Sequence, residues 1–211
     1  WNRHQQKQNN LDRGCYFIIK GQEKVIVSQE RFADNQLFLF EKKNSPKYTN
    51  YAEFRSIDPN TRIVFGTYIR YTKNKTFRIK LPQMKEDMCL ISLFRLLKDW
   101  NDLDILKRLG ENVFELLEES FSHCSKNYSK EVSIITSAIQ LKTNGMTREL
   151  ILQEIDTFIQ KVLVPHVQKF DRCIFVCDVM LKELLNSIQK KRPLDDRDHL
   201  SNKRVDTPGV M

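Results

Sequence analysis

Glycine is scarce in this chain, which contains six glycines among 211 residues. The sequence has no Gly-rich phosphate loop, no Gly-x-Ser-x-Gly nucleophile turn and no zinc-finger spacing of cysteine and histidine. Such motifs build many nucleotide, acyl-transfer and structural zinc sites. The sequence therefore predicts no cofactor site made from glycine-rich backbone.

Long apolar runs are also missing, since no window approaches the roughly 18 consecutive apolar residues of a membrane-spanning helix. The first residues, WNRHQQ, lack the apolar stretch of a signal peptide. We therefore expect neither membrane insertion nor secretion, and no membrane partner. Because the chain starts at Trp1 rather than methionine and ends at Met211 without a closing helix, we expect both ends to be cut from a longer protein. Whether residues 1–11 are native stays open.

Cysteines are few, odd in number and widely spaced, at Cys15, Cys89, Cys124, Cys173 and Cys177. A disulfide framework needs dense, paired cysteines. We therefore expect reduced thiols and an intracellular protein.

Positive charge exceeds negative charge, with 35 Lys and Arg against 27 Asp and Glu, a net charge of +8 and a pI of about 9.2. The excess is regional: residues 1–80 hold 16 basic and 7 acidic side chains, residues 81–181 hold 12 and 15, and residues 182–211 hold 7 and 5. A basic region on an intracellular protein favours a polyanion such as nucleic acid, although a solvated basic face explains the same numbers.

The pattern of apolar residues predicts an α+β fold, with strands first and helices after Pro82. Short β-branched and aromatic runs between turn signals predict strands at 15–20, 24–28, 36–41, 51–57, 62–71 and 76–81. A period typical of helices then begins near Met88, and caps and breaks predict helices at 88–97, 102–110, 112–121, 129–141, 147–165 and 173–190.

One acidic cluster, Asp195, Asp196, Arg197, Asp198 and His199, has the ligand types that Mg²⁺ prefers. Adjacent carboxylates on an extended chain point in different directions, and Arg197 lies among them as a counter-ion. We therefore expect a salt-bridged and hydrogen-bonded structural network. The alternative is a Mg²⁺-dependent nuclease.

Two further groups of residues have alternative explanations. Cys173 and Cys177 lie four positions apart on a predicted helix near His166, a spacing that suits a metal-binding pair, but apolar neighbours favour buried core thiols. His123 and Cys124 are sequence neighbours on a predicted helix, and such neighbours rarely face each other as a nucleophile and its base.

Basic and polar residues close to the first turn are candidates for phosphate contacts. Lys20 and Lys24 flank Gly21, and Gln29 and Arg31 follow the second predicted strand. Such side chains can bind phosphates without reading bases. An ordinary strand end accounts for the same residues, and spacing alone does not decide between the two.

Four motifs resemble a known family, the second-largest, β-like subunit of multisubunit DNA-dependent RNA polymerases. Residues 14–31, GCYFIIKGQEKVIVSQER, resemble the family segment GGYFIINGSEKVLIAQER. Residues 52–56 (AEFRS) resemble its AEIRS strand, and residues 164–167 (VPHV) resemble its LPHI/V helix end. Residues 195–206 (DDRDHLSNKRVD) resemble DDRDHxGNKRLD, and all four motifs occur in the family's order.

The resemblance implies a division of the chain into three parts. Residues 1–31 would be the end of the preceding protrusion and the first strands. Residues 32–190 would form the lobe domain, one wall of the downstream DNA cleft, with strands in 32–81 and helices in 86–190. Residues 191–211 would return toward the protrusion.

The resemblance also implies which residues contact nucleic acid. In the family, nucleotidyl transfer uses two Mg²⁺ ions held in other parts of the polymerase, so this fragment is expected to be non-catalytic and without a cofactor of its own. By position, Lys24 and Gln29 match residues near the RNA–DNA hybrid, and Lys203 and Arg204 match a basic pair near the same cleft. Together with Arg31, these are the expected nucleic-acid contacts.

The expected partners are the largest polymerase subunit, small subunits or initiation factors, the DNA template and the RNA–DNA hybrid. Four departures from the family motifs, at Cys15, Lys20, Ser201 and 207–208, favour a divergent member, from a large nucleocytoplasmic DNA virus. The expected location is the nucleus, or the virion and host cytoplasm. The alternative function is a self-contained basic nucleic-acid-binding module without polymerase association.

Overall fold

The structure is a computed structural model that describes residues 16–25, 27–42, 45–139, 147–168 and 171–206. These residues form two compact units. The larger unit is Ala33–Arg197, and the smaller one contains the described residues that precede Ala33 and follow Arg197. Residue Cys15, the break predicted at residues 144–145 and the end of the chain after Asp206 lie outside the described residues.

The smaller unit contains two pairs of antiparallel strands. β1 (Phe17–Ile19) pairs with β2 (Gln22–Lys24), and β3 (Gln29–Phe32) pairs with β9 (Lys203–Asp206). The strand predicted at 24–28 is therefore wrong in its position. Lys20 and Gly21 both have positive φ, which makes a two-residue turn, so that pairing resumes at once at Gln22.

The larger unit is built on one antiparallel sheet of five strands in sequential order. The strands are β4 (Leu37–Glu41), β5 (Tyr48–Ile57), β6 (Val64–Thr72), β7 (Phe77–Lys80) and β8 (Met88–Cys89). Side chains alternate between two faces. The inner face, which includes Ala52, Ile69 and Ile79, packs into the hydrophobic core, whereas the outer face carries mainly polar and aromatic side chains.

Helices cover the inner face and complete the core. They are α1 (Leu90–Lys98), α2 (Asp102–Leu109), α3 (Phe114–Ile139), α4 (Arg148–Val162), α5 (Arg172–Phe175) and α6 (Lys182–Ile188), with a π-helical segment (Val176–Leu181) joining the last two. Strands followed by helices confirm the predicted α+β class. None of the helices in the described ranges is long and apolar enough to cross a membrane.

α3 replaces the two helices that were predicted at 112–121 and 129–141. The prediction placed a new helix start at Ser129 because serine is a favourable N-cap. No glycine or proline lies between residues 121 and 130 to end the preceding helix, so the backbone continues without a break. The α2 cap also differs by one residue, since Asn101 forms a capping box with Asp104.

Both edges of the five-stranded sheet are hydrogen-bonded to other segments. At the β4 edge, the Leu39 amide donates to the Asp195 carboxylate at 2.8 Å, and the Asp195 amide donates to the Leu39 carbonyl at 2.9 Å. At the other edge, the Cys89 amide donates to Glu131 of α3 at 2.8 Å. These contacts fix the return segment, residues 192–197, and α3 to the sheet.

Candidate nucleic-acid interface

Four of the five residues expected to contact nucleic acid lie on the small sheet of β3 and β9. β3 carries Gln29 and Arg31, and β9 carries Lys203 and Arg204. The two strands are distant in sequence, since Glu30 and Lys203 are 173 positions apart. The fold therefore brings together residues that the sequence places near opposite ends of the chain.

Alternation along these strands divides the four residues between two faces. Arg31 and Arg204 are directly opposite each other in the register and share a face with Gln29. Lys203 pairs in register with Phe32, on the other face. Two guanidinium groups directly opposite each other are spaced closely enough to bind one phosphate together.

Lys203 is engaged in ion pairs on its own face. Its Nζ lies 3.3 Å from the Glu30 carboxylate and 3.7 Å from that of Asp198. Both carboxylates belong to the same unit. The positive charge of Lys203 is therefore largely balanced within the protein. Because Lys203 and Arg204 lie on opposite faces of the sheet, they cannot bind the same phosphate together.

Lys24 lies on the separate β1–β2 hairpin. It ends β2, pairs in register with Phe17 and is exposed. The hairpin also exposes Ile18 and Ile19. Lys24 therefore presents a solvated positive charge next to an apolar strand surface.

Asp195 and Arg197 connect the return segment to the outer face of the large sheet. Arg197 donates to the Tyr51 hydroxyl at 2.7 Å, lies 3.9 Å from the buried Glu53 carboxylate and covers the Phe40 ring at 4.5 Å. These three partners belong to β4 and β5. These contacts are structural, and they cover one half of the outer face.

The remaining members of the acidic cluster have different surroundings. Asp196 is exposed, and the Asp198 carboxylate reaches Lys203 in the smaller unit. His199 caps a single 3₁₀ turn (Leu200–Asn202), where its Nδ1 accepts from the Ser201 amide at 3.2 Å. Within the described ranges, no group of three or more His, Cys, Asp or Glu side chains is placed to hold a metal ion, and Asp195, Asp198 and His199 each have a different partner.

The cysteines near His166 are core residues, as the prediction favoured. Cys173 and Cys177 are buried, and burial raises their pKa to about 11 and about 12. His166 turns to the sheet instead, with its Nδ1 2.7 Å from the Ser56 hydroxyl. His123 and Cys124 also diverge as predicted, since the Cys124 thiol lies 3.1 Å from the Ser92 hydroxyl.

Acidification should destabilise the chain through His166. Burial, followed by the Arg172 charge, lowers the pKa of His166 below its ordinary value of 6.5. The unfolded chain then takes up a proton before the folded one does, so the free energy of unfolding falls as the pH drops through 6.5. We expect a lower melting temperature at pH 5.5 than at pH 7.5 by calorimetry.

The matched variant is His166→Asn, which should be less stable at pH 7.5 and should show a flatter pH profile. The pKa of Asp58 is lowered by hydrogen bonds from Asn60 and Thr61, so its contribution is lost only below its ordinary value of 3.8, outside this window. Identical profiles for both proteins would rule out His166 as the titrating group.

The other half of the outer face carries basic residues that were not among the predicted site residues. Arg70 on β6 is directly opposite Arg78 on β7, and Tyr68 is directly opposite Lys80. Their alternation with the buried Ile69 and Ile79 is visible in the sequence. That signal identifies two-faced strands but does not reveal the register between them, which places the two arginines directly opposite each other.

Comparisons with known proteins agree with the motifs. The family model described as RNA polymerase Rpb2, domain 2, matches residues 14–206. DNA-directed RNA polymerase II subunit RPB2 of Encephalitozoon cuniculi is 31% identical over 211 residues, and that of Schizosaccharomyces pombe is 32% identical over 216 residues. The archaeal subunit Rpo2 of Saccharolobus solfataricus is 26% identical over 211 residues.

Each alignment covers 95% of this chain and 18% of the relative. The chain thus spans about a fifth of the length of the curated relatives that it matches. The predicted resemblance is confirmed, and because the matched range contains all of the described residues, the protein belongs to the family of domain 2 of Rpb2, the second-largest subunit of RNA polymerase.

Proposed function

We propose that this chain forms the lobe region of the second-largest subunit in a DNA-directed RNA polymerase, where it is one wall of the DNA cleft. The observation that carries the proposal is the Rpb2 domain 2 match over residues 14–206. In this role the chain positions nucleic acid and partner proteins and catalyses nothing by itself. The proposal places the two Mg²⁺ ions of nucleotidyl transfer in other parts of the polymerase, as the family resemblance implies.

The order of the elements supports a domain inserted into a longer subunit. The unit Ala33–Arg197 begins directly after β3 and ends shortly before β9, and these two strands pair with each other. The chain therefore leaves and rejoins the smaller unit at neighbouring strands, as an inserted domain does. Gln29, Arg31 and Arg204 lie on these two paired strands of the smaller unit and are the proposed contacts with the RNA–DNA hybrid, together with Lys24 and Lys203.

The proposed partners are the largest polymerase subunit, the template and hybrid, and small subunits or initiation factors that dock on the helical side. Residues 81–181, which form most of that side, carry three more acidic than basic residues. The proposed location follows the polymerase, in the nucleus, or in the virion and host cytoplasm if the departures at Lys20 and Ser201 mark a viral source.

Reversing the charge at Lys24 should weaken retention of the hybrid by the whole polymerase. We expect Lys24→Glu to cost about 1 kcal/mol or more, as for the loss of one charged phosphate contact. The measurement is the lifetime of stalled elongation complexes across a salt series. The control is Lys107→Glu on α2, an exposed site of equal charge change. An unchanged lifetime for Lys24→Glu at every salt concentration would contradict the hybrid role.

The isolated chain distinguishes the proposal from a self-contained nucleic-acid-binding module. As a wall that acts within its complex, it should bind a DNA duplex weakly at 150 mM salt, within the non-specific range of about 10⁻⁴ to 10⁻⁶ M, and should not extend a primer with Mg²⁺. Nanomolar binding would favour the module, and primer extension by the chain alone would exclude a purely structural role.

A further inference from the structure

A groove of about 430 Å³ lies on the open half of the outer face of the large sheet. We call it the basic groove and define it by its cationic and aromatic lining: Lys47, Tyr48, Arg70, Arg78, Lys80 and Lys85. They come from the loop before β5 (Lys47), the start of β5 (Tyr48), β6, β7 and the loop between β7 and β8. Five cations from four segments therefore converge on one concave surface, and none of them belongs to the four sequence motifs.

The centre of the basic groove contains two arginines in direct register, Arg70 and Arg78. Like charges directly opposite each other in an antiparallel pair destabilise the sheet. Asp87 offsets part of this cost, because its carboxylate lies 2.6 Å from Arg70 and its backbone carbonyl accepts hydrogen bonds from Arg78. Arg78 also lies 3.4 Å from Glu131.

The three lysines leave the basic groove with excess positive charge. Lys47, Lys80 and Lys85 have no ion pair with any of the described residues. The lining contains two carboxylates, Asp87 and Glu86, and Asp87 is engaged by Arg70. The basic groove therefore has an excess of positive charge, with five cations against two carboxylates in its lining.

Aromatic contacts hold Arg70 in position. Its guanidinium lies 4.9 Å from the ring centre of Tyr48 and 5.8 Å from that of Tyr68. Its buried Nε has no hydrogen-bond partner in the described part of the chain. A guanidinium fixed between rings loses little freedom on binding an anion, and its planar donors match phosphate geometry.

We propose that the basic groove binds the phosphate backbone of nucleic acid, a second contact surface besides the β3–β9 sheet. This inference rests on the proposed function, because it assigns a phosphate-binding site to the proposed wall of the DNA cleft. A nucleic-acid strand carries one charge per nucleotide and can engage several separate cations in succession. The spread of five cations over four segments fits such a repeating charge better than the irregular charges of an acidic peptide.

The test is a salt-dependent binding measurement on the full chain with a fluorescein-labelled 20-base-pair DNA duplex. Fluorescence anisotropy between 20 and 100 mM salt gives the slope of log K against log salt. In the triple variant Lys47→Gln, Lys80→Gln, Lys85→Gln, we expect the slope to fall by about 2.7, since each lost phosphate contact removes about 0.9. Circular dichroism verifies that the variant is folded.

The matched control removes three exposed lysines from helices, as Lys107→Gln, Lys130→Gln, Lys182→Gln. It lowers the net charge equally and should change the slope by less than about 1. Equal losses in both variants, or no binding by the unaltered chain at 20 mM salt, would overturn the proposal.

Competition with polyglutamate separates the two kinds of polyanion. If the groove variant lost polyglutamate binding but kept DNA binding, the groove would belong to an acidic protein partner and the proposal would be wrong. None of these measurements involves Lys24 or the assembled polymerase. Failure of the groove and failure of the cleft-wall function are therefore distinguishable.

Discussion

Phe77→Ala should lower the free energy of unfolding by about 4 kcal/mol, the largest effect that we expect from a single substitution in this chain. The Phe77 ring is fully buried where β7 meets the helices, with its centre 4.8 Å from that of Tyr71. Its removal leaves a cavity, and the backbone cannot move in to fill it because the Phe77 amide is hydrogen-bonded to Ser120 of α3 at 2.9 Å. Urea denaturation followed by circular dichroism measures the change.

Two controls separate the cavity from a general loss of apolar surface. Phe77→Leu keeps most of the volume and should cost less than about 1.5 kcal/mol. Leu103→Ala removes a leucine that is 69% exposed and should change stability by less than about 0.5 kcal/mol. A cost for Phe77→Ala no greater than that for Leu103→Ala would show that Phe77 is not part of the stabilising core.

Glu131→Ala should lower the free energy of unfolding by about 3 kcal/mol. The Glu131 side chain is 2% exposed and accepts the Cys89 amide at 2.8 Å, while Arg78 lies 3.4 Å and His123 3.7 Å from its carboxylate. Without the carboxylate, a buried amide has no acceptor, and Arg78 loses the carboxylate that lies beside its guanidinium. The measurement is the shift of the denaturation midpoint at constant m-value.

Glu131→Gln is the matched control for this carboxylate. The amide oxygen can still accept from Cys89, so we expect a loss of about 1 kcal/mol, which isolates the charge from the hydrogen bond. If each variant lowered the free energy of unfolding by less than about 0.5 kcal/mol, the contacts of Glu131 would not stabilise the packing of α3 against the sheet.

The class of the fold could be predicted because the strand-like alternation and the helical period each extend over a long stretch of sequence and do not overlap. The run from residue 62 to residue 81 alternates with a hairpin turn at residues 73–75, and the structure has β6 and β7 there. The prediction of helix boundaries was wrong where a helix continues because no helix-breaking residue interrupts it. Ser129 is a good cap in isolation, but α3 passes through it because nothing ends the helix before it.

The pairing of β3 with β9 could not be predicted from the sequence pattern. Each strand has four residues, and such a short alternation does not identify its partner. The resemblance indicated Gln29 and Arg204 as contacts, but their shared face follows only from the register. The basic groove was missed for the same reason, since the opposition of Arg70 and Arg78 is a property of two strands, not of one.

The closed edges of the five-stranded sheet also restrict how this unit can associate with other chains. An unprotected edge offers free amides and carbonyls to any extended peptide and is a route to aggregation. Here Asp195 occupies both backbone groups of Leu39, and Glu131 occupies the amide of Cys89. A neighbouring protein therefore cannot lengthen the sheet at these residues without displacing a carboxylate.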